Sequence, residues 1–478
     1  MNNKNILLIN PWIYDFAAYD FWVKPIGLLS IGSILDNFGY RTSLIDCLDR
    51  FYLLQFGNFK SYNRKNGTGK FYRESVEKPT VLSDIPRKFC RYGLPPNIFN
   101  LALTNTPPPD VILVTSGMTY WYLGPFKVIE LVKQKYPKVP VVLGGIYATL
   151  FYEHAKKFSG ADYVVKGPGE KQALELVDEL TGNKSDWSKF PENWQEMPQP
   201  IYHHYKTLAS LPMMTSKGCP YRCSFCASNL LSGKFEQKNT EIVINTIESY
   251  YRRQKIKHIA FYDDALLVNH KFHLSKILQA VIDKKLQVTF HTPNGLHARE
   301  VTTELAELMH RSNFKTIRLS YETSNKARQQ EMNLKITDDA LLNALDCFEK
   351  AGYKRKEIDV YVIMGLPGQS IEEVVQSMIF VVSQGAKVRL TSFSPIPGTV
   401  DWERAVNIHG FPADVDPLLT NNSIYPLRTK EITYHHFQQL RHFSKALNYC
   451  LDQGVNFFNT SSLAKIVWKS VTGYSNLN

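Results

Sequence analysis

The sequence predicts an α/β protein: an N-terminal doubly wound, Rossmann-like unit over residues 1–185, then a partial, TIM-like (β/α)6 barrel over 212–400 and a mostly helical C-terminal region over 401–478. Two observations predict it. Short runs that are apolar throughout alternate with segments of helical spacing, as expected of parallel strands covered on both faces. The alternation also runs twice, with an aperiodic stretch (residues 184–200) between, in a chain of 478 residues that is too long for one core.

In order, residues 4–10 (KNILLIN) form a strand ended by Pro11, and 26–38 a helix with Leu28, Leu29, Ile31, Ile34 and Leu35 on its apolar face and Gly39 as C-cap. Strands follow at 42–45, 111–115, 139–143 and 163–166, with helices at 126–135 and 170–180. Residues 51–105 interrupt the rhythm, being rich in Lys, Arg, Asn, Gly and Tyr, and fit either a functional cap or a surface insertion. Residues 186–211 read as a linker. The second series has strands at 212–216, 258–262, 287–291, 316–320, 359–364 and 388–393, with helical patterns such as 240–253, 273–284 and 303–311 between them. Six strands make an incomplete barrel, smaller than the ~250 residues typical of an eight-fold one. Residues 433–470 read as an amphipathic helix on Phe437, Leu440, Phe443 and Leu447.

Composition excludes several classes. With 44% hydrophobic and 13% aromatic residues the chain is globular rather than disordered. No stretch approaches the ~20 apolar residues that span a bilayer, and no export signal opens the chain, so a cytoplasmic location is expected. The net charge of +12 is spread along the chain without a dense basic block, which makes nucleic acid an unexpected partner.

Of seven cysteines, four (Cys47, Cys90, Cys347, Cys450) are scattered, which is no disulfide framework. The other three, Cys219, Cys223 and Cys226, lie at C-x₃-C-x₂-C just after the first barrel strand. Thiolates at this spacing let one loop wrap an iron–sulfur cluster, and three ligands leave the fourth iron of a 4Fe–4S cluster open. A closed zinc site wants four ligands, and no fourth stands at the usual spacing. Tyr202-His203-His204 lies upstream and is a conceivable contributor, although His pairs on loops are commonly surface residues.

This motif, with Phe225 before its last cysteine, resembles the signature of the radical S-adenosylmethionine superfamily. The resemblance implies an open iron that chelates the methionine end of S-adenosylmethionine, and one-electron cleavage to a 5′-deoxyadenosyl radical. It continues along the barrel, at strand ends where barrel active sites sit. Tyr262, Asp263 and Asp264 match the group that receives the methionine amino nitrogen. Asn294 lies in the related third-strand segment 290–297. In Arg318-Leu-Ser-Tyr-Glu322, Ser320 and Glu322 resemble the ribose-contacting pair, with Tyr321 where a small residue is usual. Gly365 opens the Gly-Leu-Pro-Gly turn on the adenine side, and residues 395–399 end the sixth strand.

The N-terminal unit is similar to the cobalamin-binding domain that often precedes this barrel. Ser116, Gly117, Met118 and Thr119 follow the third strand, Gly144 and Gly145 follow the fourth, and Gly167, Gly169 and Glu170 form the next turn, all at carboxyl ends of strands. The family's Asp-x-His-x-x-Gly motif is altered: Asp46 is kept, but Leu48 stands at the position of the cobalt-ligating histidine. Tyr120, Trp121 or Tyr122 could face that side instead.

The implied function is cobalamin-dependent methylation of an unactivated centre in a small molecule or peptide, with a flavodoxin- or ferredoxin-like electron donor. The alternatives are radical cyclisation or rearrangement with the same cofactors, or a non-catalytic cofactor-binding sensor.

Overall fold

The computed structural model describes residues 4–57, 59, 62–332, 336–429, 432–455 and 469. They divide between two compact units: the described residues within 1–214, 230–233 and 416–421, and those within 215–229, 234–415 and 422–478.

In the first unit five parallel strands lie in the order Tyr163–Val164, Val141–Leu143, Val111–Val114, Asn5–Asn10, Arg41–Asp46. Alternate residues of a strand face opposite sides. Ile6 and Leu8 therefore pack with Val111 and Leu113 against the Ile26–Asn37 and Glu170–Thr181 helices, burying Leu28, Ile34, Leu35, Leu174 and Val177. The Leu123–Lys135 helix buries Val128, Ile129 and Val132. The doubly wound sheet is thus as expected.

The described part of residues 51–105, where the sequence interrupts the strand–helix rhythm, folds against this unit. Strands Arg73–Ser75 and Cys90–Tyr92 add to Ile13–Asp15 as an antiparallel sheet, and Pro96–Asn105 is a helix. The buried Arg50 guanidinium ties the segment down through Asp20 (2.6 Å), the Gly67 carbonyl (2.9 Å) and Asn63. Residues 186–200 are similarly packed, with Phe190 and Met197 against the sheet's helical layer.

The second unit holds parallel strands at His258–Phe261 and Thr289–His291, and a parallel four-stranded set Leu296–His297, Arg318–Glu322, Asp359–Met364, Lys387–Ser392. The Leu296–His297 strand was not anticipated. Phe261, Phe290 and Phe314 stack in its core, with successive centroids 5.3 and 6.0 Å apart. The Tyr434–Asp452 helix buries Phe437, Leu440, Phe443 and Leu447, the expected face; the rest of the expected helix, beyond residue 455, lies outside the described residues apart from Lys469. From this helix Asn448 donates to the Val388 carbonyl and accepts from the Val388 amide, both at 2.8 Å, and so satisfies backbone groups of the Lys387–Ser392 strand.

Replacing Asn448 by Ala leaves those two backbone groups without partners. The expected loss is about 1–3 kcal/mol, read as a lower midpoint in urea unfolding.

Candidate functional site

The cysteine loop is held at both ends. Ser216–Lys217 pairs antiparallel with Glu236–Gln237, closing the loop at its base. Ser224 accepts the Asp401 amide on its carbonyl (3.0 Å) and donates its hydroxyl to the Asp401 carboxylate (2.8 Å), which straps the loop to the Val400–His409 helix. Cys219 and Cys223 are buried, Cys226 is exposed, and Phe225 is half-buried. The Cys226 amide donates to the Cys223 carbonyl (3.1 Å), and the Ser228 amide points at Cys226 Sγ (3.5 Å).

Asp263 follows the His258–Phe261 strand and is buried. Its Oδ1 accepts the Thr215 amide (3.0 Å), the Thr215 hydroxyl (2.7 Å), the Ser216 amide and the Ser216 hydroxyl (2.6 Å). Its Oδ2 has no partner among the described residues. Burial pushes this carboxyl up from 3.8 to about 6, against the lowering effect of its donors. Ionising it therefore weakens the fold as pH rises from about 4 to about 6. The next residue, Asp264, accepts the Ser228 hydroxyl at 2.5 Å. Asn294 donates to the carbonyls of Tyr262 (2.9 Å) and Asp263 (3.2 Å), stitching the ends of two strands together.

Ser320 lies against Gly295, where a Cβ would come within 2.2 Å of its hydroxyl. Glu322 ends its strand at a register shift with φ of +71°, a conformation that costs energy in any residue but glycine. Tyr321, the departure noted in the sequence, turns to the helical layer, donates to Asp338 and stacks on Phe380 (5.5 Å). Its bulk stays off the face of Ser320. Arg318 is the first residue of its strand, with its guanidinium on the Pro293 carbonyl (3.1 Å) and the Tyr361 hydroxyl (3.4 Å). Gly365 has φ of +89°, and a Cβ there would meet the Tyr425 ring at 2.7 Å; Gln369 Oε1 accepts the amides of Gly365 and Leu366. The structure thus brings the cysteine loop together with Asp263, Asp264 and, through Asn294 and Gly295, Ser320. Thr215, Ser216, Ser228 and Tyr425 were not foreseen.

In the first unit the glycine turns converge. Gly145 has φ of +98°, and a Cβ would lie 2.4 Å from the Ser116 carbonyl. Ser116 donates to the Gly144 carbonyl (2.7 Å) and accepts the Ala148 amide (3.2 Å); Thr149 accepts the Gly167 amide (3.0 Å). Gly117 accepts the Tyr147 amide, the Met118 carbonyl accepts the Trp121 amide, and Gly169 and Glu170 open the last helix. Thr119 is buried and bonded to Thr420 (3.0 Å). The three aromatics proposed to replace the missing histidine are engaged in packing: Tyr120 is buried, Trp121 donates to Asp15 (2.8 Å) and Tyr122 donates to Asp416 (3.1 Å). Leu48 sits in an apolar cluster with Ile13, Phe71 and Tyr92, and Asp46 accepts Asn10, Tyr205 and the Leu48 amide instead of orienting an imidazole.

The Radical SAM superfamily model matches residues 213–381, and the B12 binding domain model matches residues 101–177. The chain is a radical SAM enzyme with a B12-binding domain. This radical SAM chain is 25% identical to an uncharacterized methyltransferase of Pyrococcus horikoshii, over 62% of the chain and 70% of that protein. It is 21% identical to the cytidylyl-2-hydroxyethylphosphonate methyltransferase of Streptomyces wedmorensis, over 90% of the chain and 85% of that protein. Its fold is that of the radical S-adenosylmethionine methyltransferase TsrM of Kitasatospora setae, solved with cobalamin and a [4Fe-4S] cluster: TM-score 0.61, 14% identity, 94% of this chain and 89% of that one. No helix among the described residues is long and apolar enough to cross a membrane.

The cofactors of such an enzyme are a 4Fe–4S cluster, S-adenosylmethionine and cobalamin, and the residues present fit them. Three thiols on one strapped loop, one already facing an amide, suit an iron–sulfur cluster. A buried carboxylate oxygen without a partner suits the N–H donors of an amino group. A glycine turn in which Gly145 admits no Cβ suits close backbone approach to a ligand.

Gly145→Ala is expected to destabilise the first unit strongly, because the methyl meets backbone and φ is positive. Gly144→Ala, with nothing nearer than 3.9 Å to its Cβ, should unfold close to wild type in the same thermal melt.

Proposed function

We propose that this chain methylates an unactivated carbon or phosphorus centre of a small molecule or peptide, using cobalamin and radical S-adenosylmethionine chemistry. One observation carries the reading: a single strapped loop presents three thiols, and the Asp263 clamp at its base keeps one bare carboxylate oxygen. The methyltransferase names of two relatives, one aligned over 90% of the chain, support it.

In this reading Cys219, Cys223 and Cys226 hold the cluster, and Asp263 Oδ2 with Asp264 and the Tyr262 carbonyl receives the methionine amino group. Ser320 and Glu322 bind the ribose, the Gly365 turn lies along the adenine, and Phe225 shields the cluster side. Asn294 and Arg318 act by position, since their side chains are bonded to the barrel's own backbone and to Tyr361. Ser116, Gly117, Met118, Thr119, Gly144, Gly145, Gly167, Gly169 and Glu170 line the cobalamin side, and Leu48 offers the cobalt no nitrogen. When bound, the cluster supplies the electron that cleaves S-adenosylmethionine, and cobalamin carries the methyl group. The functional division follows the boundaries 1–185, 186–211, 212–400 and 401–478. A flavodoxin- or ferredoxin-like protein supplies the electron, in the cytoplasm.

Anaerobically reconstituted protein is to be assayed with S-adenosylmethionine and a reductant. Formation of 5′-deoxyadenosine and S-adenosylhomocysteine together supports methyl transfer. 5′-Deoxyadenosine alone supports cyclisation or rearrangement, and neither product supports a sensor. Cys223→Ala should abolish both.

The Asp263 carboxyl, at about 6, is ionised above that pH and neutral below it. S-Adenosylmethionine binding to the cluster-loaded protein, measured by calorimetry, should therefore tighten as pH rises from 5 to 7. Asp263→Asn should be weaker at pH 7 and flat across that range.

A further inference from the structure

A cluster outside both matched regions has metal-binding geometry. Asp36 lies in the last turn of the Ile26–Asn37 helix, and His203 and His204 lie in the turn that follows Ile201. Their ligand atoms all fall within 4.8 Å of one another, the one such group of three among the described residues. His203 Nε2 is 3.7 Å from Asp36 Oδ2, and the two imidazole rings are 4.2 Å apart. Thr42 donates to Asp36 Oδ1 (2.6 Å) and stands 3.0 Å from His204 Nε2, so one hydroxyl orients two of the three donors.

The turn is fixed in advance. Ile201 donates its amide to the Leu29 carbonyl (3.3 Å), on the same helix as Asp36. Tyr202 and Tyr205 on either side are buried, donating to the Pro212 carbonyl and to Asp46. Donors held by packing and by outer hydrogen bonds lose little entropy on binding.

We propose that Asp36, His203 and His204 bind a divalent transition metal, zinc being the natural occupant. Two imidazole nitrogens and one carboxylate oxygen favour zinc, cobalt or nickel over magnesium or calcium, and three protein ligands leave room for water. The ion fastens the turn at 202–205 to the helix and strand of the first unit. It takes no part in the radical chemistry, and the inference does not rest on the proposed function.

The test uses the full chain without a polyhistidine tag, loaded with cluster and cobalamin, titrated with zinc by calorimetry and melted with and without zinc. One zinc per chain is expected beyond the loaded cofactors, with a raised melting midpoint. His203→Ala, at an exposed position, should bind at least roughly ten-fold more weakly and lose the shift while its metal-free melt stays unchanged. A Cys219→Ala/Cys223→Ala/Cys226→Ala chain should keep the zinc equivalent. Equal zinc binding and an equal shift in wild type and His203→Ala, or loss of the zinc equivalent with the three cysteines, overturns the proposal.

Discussion

The Asp263 carboxylate gathers all its donors on one oxygen. Two backbone amides and two hydroxyls from Thr215 and Ser216 converge on Oδ1, and those residues lead directly into the cysteine loop. The carboxylate is buried, so each missing donor would be costly, on the order of 1–3 kcal/mol. That cost keeps the start of the loop in register with the His258–Phe261 strand. The other oxygen is left bare beside a loop of three thiols. A carboxylate crowded on one side and unpartnered on the other suits a ligand's N–H donor more than packing does. The neighbouring contacts follow from this anchor: Asn294 fixes the backbone that carries Asp263, and Ser228 links Asp264 to the loop.

The parts of this arrangement that repeat with a period were legible in the sequence. Both strand–helix series, the apolar face of the last helix and the spacing of the cysteines are regular patterns, and they appear where expected. The outward turn of Tyr321 is a period-two effect, since Ser320 and Tyr321 face opposite sides of a strand. What a pattern cannot carry is a partner. Thr215 and Ser216 read as ordinary strand-end residues, because donation to one carboxylate depends on a segment 47 or 48 positions away. Strands of two or three residues, such as those within 51–105, are too short to have a period at all.

The first unit shows a second kind of illegibility. Gly144 and Gly145 look equivalent in sequence, yet only Gly145 meets backbone at 2.4 Å. Leu48 was legible as a missing ligand, but not as part of an apolar cluster. With Ile13, Phe71 and Tyr92 around it, the position is core. Asp46, two positions earlier, accepts Tyr205 and Asn10. Donors of this kind are required there, because a buried carboxylate without them is too expensive.

The first unit is also not contiguous in sequence. Residues 416–421 belong to it: Asp416 accepts the Tyr122 hydroxyl, Thr420 meets Thr119, and Asn421 donates to Asp15 at 2.9 Å. Asp15 is 2% exposed, and Asn421, Trp121 and the Phe16 amide, which donate to it, are all neutral. Burial raises its carboxyl and the donors draw it back, with Asn421 the strongest of them. A chain cut at residue 185 removes that donor and leaves the Tyr122 hydroxyl without Asp416. Each loss costs on the order of 1–3 kcal/mol, a large share of the stability of a small domain. The loop that carries Ser116 to Tyr122 therefore depends on chain made some 300 residues later, so the α/β unit reaches its full packing only with residues 416–421 in place.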